Sequence, residues 1–377
     1  MNFELNDEQQ ALQHSLCRLL GDVYGFEQRR AIAASATGWS PAVWQQLAEL
    51  GITALPLPQA HGGFGGNAVD LLPVMQALGG ALSLEPFLSS VVLAATAVRL
   101  LADNVLQAQL LPGVASGEVR LAWAHDEAGA RHAPLWVETR ARLEGGQWLL
   151  HGGKCNVLHA PGAHRFVVSA RVEGSPGDVQ GVALFHVDAH APGLVCRAHR
   201  LVDDTPAGEL HFDGLKAQVL GDPHDGAAAL RAIEHTLALG TAAVCADALG
   251  AMASAYALAI DYLRTRQQFG RFIGENQALR HRAAEMLVSL EMCRSMAMAA
   301  ALAADDIAAP GARADLARAK LMIGRHGRAV CHAAIQLHGG IGMTEEYAVG
   351  HCLRRVTLID QLFGDTEAQA MRLAAMA

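Results

Sequence analysis

The chain is poor in the features that usually announce a function. Aromatic residues make up only 5% of its 377 residues, so small aliphatic side chains must do most of the packing. Positive charge is scarce and scattered: 29 Lys and Arg against 37 Asp and Glu give a formal net charge of -8. A nucleic-acid binder carries a basic stripe, so no nucleic-acid partner is expected here. The seven cysteines (Cys17, Cys155, Cys196, Cys245, Cys293, Cys331 and Cys352) lie far apart with no C-x-x-C pair, which reads as reduced and mostly buried thiols. Among the 18 histidines, His125, His132, His151, His159 and His164 show no ligand spacing with a third donor, so no metal is expected. No uninterrupted apolar run reaches the roughly 20 residues of a membrane helix. The best candidate, Val91 to Leu101, is cut by Arg99. The opening MNFELNDEQQ is acidic and lacks the basic-then-apolar order of a secretory leader. These absences lead to the expectation of a cytoplasmic chain with no membrane partner.

What is present falls into three textures. Residues 1–117 read as helical. Asn6 and Gln9 are spaced as a capping box, followed by Leu12, Leu16, Leu19 and Leu20 on one face. Ser40 and Pro41 open a helix striped by Val43, Trp44 and Leu47, and Gly51 closes it. Further helices are expected near Val69 to Leu78 and Phe87 to Leu101. Between them His61-Gly62-Gly63-Phe64-Gly65-Gly66 reads as a structural turn in preference to a phosphate cradle. Residues 118–223 read as short strands. The clearest signal is the hairpin of Arg140 to Glu144 and Gln147 to Leu150 around Gly145-Gly146. No strand alternates with a helix, which argues against a parallel Rossmann sheet. Residues 224–377 read as long helices, one of them running from Ala227 to Arg266, and their short connections suggest a four-helix bundle. The expected class is α+β: helical domain, small β-barrel or sandwich, helical bundle.

Two stretches in the last region carry chemistry. At the end of the long helix, Arg266, Gln268, Phe269 and Gly270 gather a cation, an amide and an aromatic ring. Arginine forks onto phosphate oxygens, and a ring face stacks on a flat heterocycle, so the set suits a ligand with both parts. Downstream, Gln336 to Gly342 (QLHGGIG) places Gly339, Gly340 and Gly342 where backbone can approach an anion without a Cβ in the way. A third pattern, His199-x-x-x-Asp203, has the arrangement of some acyltransferases and stays open as a remote alternative.

The order and spacing of these pieces resemble the acyl-CoA dehydrogenases. The motifs are YGFEQRR at Tyr24 to Arg30, HGGFGG at His61 to Gly66, SMAMAA at Ser295 to Ala300, QLHGGIGMTEEYAVGH at Gln336 to His351 and LFGD at Leu362 to Asp365. Within that family the chain is most similar to the small subunit of pimeloyl-CoA dehydrogenase-type enzymes. The resemblance implies FAD as cofactor, lying between the β-domain and the C-terminal bundle, with a neighbouring subunit completing the site. Arg266, Gln268 and Phe269 would reach the pyrophosphate and adenine across the interface. Gln336, Gly339 and Gly340 would line the diphosphate, with Thr366 near the cofactor. Trp123, His125 and Asp126, then Asn156, Val157 and Leu158, fall on the two flavin-contacting strands. There the family's threonine hydroxyls are absent, and Asn156 replaces a frequent tryptophan.

The implied reaction is α,β-dehydrogenation of an acyl-CoA thioester, of the kind used in degrading fatty or dicarboxylic acids. Electrons would pass to an acceptor such as an electron-transfer flavoprotein. The implied assembly is a homodimer, a homotetramer or a heterotetramer with a second dehydrogenase subunit. The family's catalytic glutamate falls on Gly364, and its alternative position falls on Gly240. Asp365, one residue displaced, is the candidate base, with Glu234 a poorer one. The other reading is a non-catalytic FAD-binding subunit whose partner supplies the base.

Overall fold

The computed structural model describes residues 6–376. Helices α1 (Asp7–Val23), α2 (Phe26–Ala34) and α3 (Pro41–Glu49) come first, then α4 (Ala68–Gly80), α5 (Ala95–Leu101) and α6 (Asn104–Ala115). Strands follow: β1 (Leu121–Ala124), β2 (Arg140–Glu144), β3 (Gln147–Leu158), β4 (Arg165–Arg171), β5 (Val182–Asp188), β6 (Leu194–Arg200) and β7 (Pro206–Leu220). Helix α7 (Gly226–Thr265) leads into a minimal hairpin, β8 (Gln267–Gln268) and β9 (Arg271–Phe272). Helices α8 (Gln277–Asp305), α9 (Ala312–His338), α10 (Ala348–Gln361) and α11 (Thr366–Met376) complete the chain. The expected order of helices, strands and helices is the observed one. Contacts divide the chain into two compact units that cut across this order. One takes the residues up to Arg30, Ala68–Ser83 and the chain from Thr241; the other takes Ala31–Asn67 and Leu84–Gly240.

In the first unit, Asn6 accepts from the Gln9 amide at 2.8 Å while Gln9 accepts from the Asn6 amide at 2.9 Å, which is the anticipated capping box. Helices α4 and α7 approach so closely that small residues are obligatory. A Cβ on Gly79 would sit 2.0 Å from the Asp247 carbonyl oxygen, and one on Gly250 would sit 2.0 Å from that of Gln76. Around this crossing, buried cations replace bulky apolar groups. Arg355 donates to the Ser83 carbonyl and to Asp247, and Arg29 donates to the Leu82 carbonyl at 3.3 Å. Helices α7 and α8 are long and apolar enough, with mean hydropathy 1.6 and 1.4, to pass as membrane spans by length and composition. They, and not Val91 to Leu101, are the best candidates by that measure, alanine giving the hydropathy while Asp247 in α7 and Glu291 and Arg294 in α8 interrupt the apolar runs. The apolar stretch of α7 is 67% buried within the protein, that of α8 only 39%.

The second unit holds the β-domain. Strand pairing runs β4–β2–β3–β7–β5 and returns from β5 to β4, closing a barrel, with β1 beside β4 and β6 beside β7. Most pairs are antiparallel, whereas β1 and β2 lie parallel to β4. The β2–β3 turn has Gly145 and Gly146 at φ 56° and 80°, the left-handed pair that a two-residue hairpin requires. Leu150, Phe166, Val168, Phe185, Phe212 and Leu215 fill the interior. The HGGFGG loop is structural, since its amides serve this chain's own carbonyls: Phe64 to Ala54 at 3.1 Å, Gly65 to Leu57 and Gly66 to Leu55 at 2.8 Å. The segment from Phe87 to Leu101 departs from the single helix expected. Its first half, Phe87–Ala94, is π-helical, and its buried serines serve the surrounding fold. Ser89 bonds His159 at 3.2 Å, and Ser90 accepts from the Leu121 amide at 3.0 Å.

A buried ion pair fixes the end of β1 to β3. The Lys154 ammonium donates to Glu127 at 2.6 Å, to Ser169 at 2.9 Å and to the His125 carbonyl at 3.0 Å, with neither charged side chain more than 4% exposed. Burial alone would raise the Glu127 pKa, but the ammonium and the Glu138 and Thr139 amides hold it below its usual value. A depressed carboxyl pKa stabilises the fold above the unfolded value, and that contribution is lost as pH falls through the folded one. Glu127→Gln should therefore cost ~3–5 kcal/mol near neutrality, because it leaves a buried cation uncompensated. The gap from the parent protein should narrow in acid, as read by denaturant melts across pH.

Candidate functional site

The end of α7 builds a projecting arm. The Arg266 amide donates to the Tyr262 carbonyl at 2.9 Å, and the Ile273 amide closes back onto Arg266 at 2.9 Å. Between them Gln267 pairs with Phe272 and Gln268 with Arg271. The two tip residues, Phe269 and Gly270, have φ of 55° and 80°. Gly270 takes this conformation freely, whereas a bulky L-residue is strained there by about 1–2 kcal/mol. Phe269 is also 101% exposed. A strained apolar ring standing wholly in solvent does nothing for this chain's own packing. Arg266 and Gln268 are exposed beside it, and among the described residues the Arg266 guanidinium has no hydrogen-bonding or ionic partner. The base of the arm is braced: Arg271 donates to Asn276 at 2.7 Å, and Asn276 to the Ile273 carbonyl at 2.9 Å.

The second stretch meets the first through an aromatic stack. His338, the last residue of α9, lies 4.7 Å from the Tyr262 ring and 4.9 Å from that of Tyr347. Its Nδ1 is 2.7 Å from the Ala334 carbonyl and so carries the proton, which leaves Nε2 to accept from the Tyr347 hydroxyl at 3.2 Å. This stack, with His338 buried between two half-buried tyrosines, orients the turn that follows. Gln336, Gly339 and Gly340 are exposed. A Cβ on either glycine would meet no atom within 4 Å, so packing inside this chain does not demand glycine at Gly340. The two stretches singled out by sequence are thus brought together, by ring contacts that residue spacing did not reveal.

The two positions where the resemblance implies a catalytic carboxylate are both glycine. Gly240 is buried within α7, with half-buried Glu234 six residues earlier on the same helix. Gly364 is buried at φ 99°, and its carbonyl accepts from Lys320 at 3.2 Å and Gln369 at 3.2 Å. Lys320 is only 1% exposed and also donates to the Asp360 carbonyl at 3.0 Å. Burial pushes its pKa down, against the pull of Asp360 and Asp365. Asp365 is the N-cap of α11: its carboxylate accepts from the Ala368 amide at 2.8 Å, and its carbonyl accepts from Gln369 at 2.9 Å. The Thr366 hydroxyl is buried and donates to Asp360 at 2.6 Å. Lys320 was missed in the sequence, although it falls on the buried stripe of α9 with Leu316, Ala319 and Ile323.

In the β-domain, the candidates separate. Trp123 is buried on β1 and its indole N–H has no acceptor among the described residues, whereas His125 is fully engaged. The His125 Nε2 donates to the Pro134 carbonyl at 2.7 Å, and Nδ1 accepts from Ser169 at 2.9 Å. Burial and the Lys154 charge push its pKa down, so the ring is neutral. Asp126 offers its carbonyl to the Cys155 amide at 2.8 Å. Val157 and Leu158 are buried at the end of β3. Asn156 adopts φ 49° and accepts from His199 at 3.3 Å. The acyltransferase pairing fails here. His199 turns to Asn156, while the buried Asp203 accepts from the Thr205 amide at 3.0 Å to hold its own turn.

Family models agree with these features. The acyl-CoA dehydrogenase N-terminal domain matches residues 6–118, the middle domain residues 121–215 and the C-terminal domain residues 230–377. The probable acyl-CoA dehydrogenase YngJ of Bacillus subtilis is 27% identical, with 99% of each chain covered. Among solved structures, a variant of the Tcur3481-Tcur3483 steroid ACAD is 30% identical with a TM-score of 0.88, over 98% of this chain and 97% of that one. The ChsE4-ChsE5 complex from Mycobacterium tuberculosis is 26% identical with a TM-score of 0.88, over 100% and 98%. Matched by family models in all three regions and by relatives along its whole length, the chain belongs to the acyl-CoA dehydrogenase family.

Proposed function

We propose that this chain is an FAD-binding subunit of a heteromeric acyl-CoA dehydrogenase whose partner subunit supplies the catalytic base. The observation that carries the reading is the loop at Gly364. Glycine stands at both base positions, and the neighbouring Asp365 carboxylate is occupied in capping α11. Removal of an α-proton needs a carboxylate within hydrogen-bond reach of it, and a polarised thioester carbonyl to make that proton acidic enough. Two of the related structures bear the names of two chains, Tcur3481-Tcur3483 and ChsE4-ChsE5, which supports a mixed assembly. It is also the kind of role that the small-subunit resemblance implies.

The residues fit FAD in its dinucleotide half. Arg266 would fork onto the diphosphate, Phe269 would offer a face to the adenine, and Gln268 would add an amide. Gln336 and the open backbone at Gly339 and Gly340 would admit the anionic linker. In the β-domain the buried Trp123 N–H is one of several buried polar atoms without a partner among the described residues. It is the one on a flavin-contacting strand of the resemblance and would be free to meet a ligand. Bound FAD supplies the hydride acceptor, and its electrons would leave to an electron-transfer flavoprotein.

Purified with its partner, the protein should be yellow and release FAD on denaturation. Arg266→Ala should weaken FAD retention by ~1.5–3 kcal/mol, the worth of a charged hydrogen bond. A colourless assembly that takes up no FAD would refute the cofactor assignment. Asp365→Asn preserves the helix cap, because asparagine caps as well as aspartate. It should leave turnover of the assembled enzyme unchanged in a dye-reduction assay. A loss of about 10²–10⁴-fold, the usual contribution of a general base, would make Asp365 the base and remove the need for a partner's carboxylate.

A further inference from the structure

Strand β3 carries a bulge that the β-domain holds from three sides. Lys154 pairs with Leu210 of β7 and Val157 with Gly208, so Cys155 and Asn156 together stand opposite the single residue Glu209. The Cys155 amide donates to the Asp126 carbonyl, beyond the end of β1, at 2.8 Å. The Asn156 amide donates to the Glu209 carboxylate at 3.4 Å. Asn156 accommodates the extra residue at φ 49°, a left-handed conformation that asparagine tolerates better than most side chains. The third anchor comes from the far side of β7, where His199 of β6 stands opposite Ala207. That alanine is small enough for the imidazole to cross it, and Nε2 donates to the Asn156 Oδ1 at 3.3 Å. With Oδ1 taken, the exposed carboxamide keeps its Nδ2 donors, which have no partner among the described residues. The neighbouring Cys155 brings no charge, because burial, with Asp126 and Glu209 beside it, pushes its thiol up to about 11.

We propose that Asn156 presents this amide donor to the bound flavin, and that His199 is the positioning residue that aims it. The inference rests on FAD as the cofactor and adds how this chain sets the flavin's reduction potential. Asn156 lies on one of the two strands that the resemblance assigns to the flavin, and the bond from Cys155 to Asp126 ties it to the other. A flavin gains electron density on its ring heteroatoms when it is reduced. A donor aimed at the ring therefore binds the reduced form more tightly than the oxidised form and raises the potential. The carboxylates of Asp126 and Glu209 act in the opposite sense, so the amide offsets them. Residue type matters at this position. Glycine would keep the bulge without a donor, and aspartate would add a third carboxylate.

The reduction potential of the FAD-loaded protein, purified with its partner, tests this without any acyl-CoA. Asn156→Gly keeps the left-handed bulge and removes the donor. It should retain FAD and favour the reduced flavin about tenfold less than the parent does, the worth of one hydrogen bond. For a two-electron couple that is a potential about 30 mV more negative. His199→Phe should lower the potential likewise, and His199→Gln, which keeps an N–H donor, should restore it. In the Asn156→Gly protein, His199→Phe should have no further effect. FAD bound at an unchanged potential in Asn156→Gly overturns the proposal and leaves the cofactor assignment standing. A His199→Phe shift of equal size with and without Asn156 overturns the positioning role. Should Asn156→Gly fail to fold, Asn156→Asp decides instead, since aspartate also tolerates the conformation. Its carboxylate should drive the potential lower still, and an unchanged or raised potential overturns the proposal. A parent protein that takes up no FAD, even with its partner, overturns the cofactor assignment and this proposal together.

Discussion

The buried ammonium of Lys320 is the constraint on which the turn at Gly364 depends. It donates to the carbonyls of Asp360 and Gly364, tying α9 to both ends of the turn between α10 and α11. Asp360 in turn holds the Thr366 hydroxyl, and Gln369 donates to the carbonyls of Phe363 and Gly364. Phe363 and Gly364 both lie at positive φ within this lattice. Such a turn has no freedom to re-aim a neighbouring carboxylate. A Cβ on Gly364 would meet the Gln369 amide nitrogen at 2.9 Å and the Arg372 guanidinium at 3.2 Å, so the position is shaped for glycine. Asp365 is committed to its helix by the same geometry.

The arm at Phe269 is the converse case. There the chain accepts backbone strain and exposes a phenyl ring with nothing of its own to gain. Strain of this kind persists where the surroundings over-determine it, and it commonly marks a functional contact. The stack of Tyr262, His338 and Tyr347 ties the arm's helix to the turn at Gly339 and Gly340, so the two candidate cofactor elements are held as one rigid piece. A loop whose carboxylate caps a helix, together with a presented arm, is what supports the proposal of a chain that completes a site with another.

Much of the fold was legible in the sequence. Capping signals placed α1 and α3, the Gly145-Gly146 pair placed the β2–β3 hairpin, and the proline-free alanine run placed α7 to within a residue at either end. Elements governed by tertiary contacts were less so. The π-helical stretch at Phe87–Ala94 left no signal in the residue pattern, and β6 was missed because its residues show no apolar alternation and lie mostly exposed, paired only with β7. Motif residues of the site were visible, but their commitments were not. His125 and Thr366 carry the right chemistry for a ligand, and both are consumed by internal hydrogen bonds. The buried charges left a faint trace in the pattern. Lys154 lies four residues after Leu150 on β3, at a position whose alternation points it to the same buried side.

The central claim is that this chain has no base of its own, and proton exchange tests it without any electron acceptor. A saturated acyl-CoA thioester incubated in D2O with FAD-loaded protein takes up deuterium at its α-carbon only where a carboxylate removes that proton. The account predicts exchange by the chain with its partner, and none above the solvent background by this chain alone. Exchange catalysed by the isolated chain would contradict it.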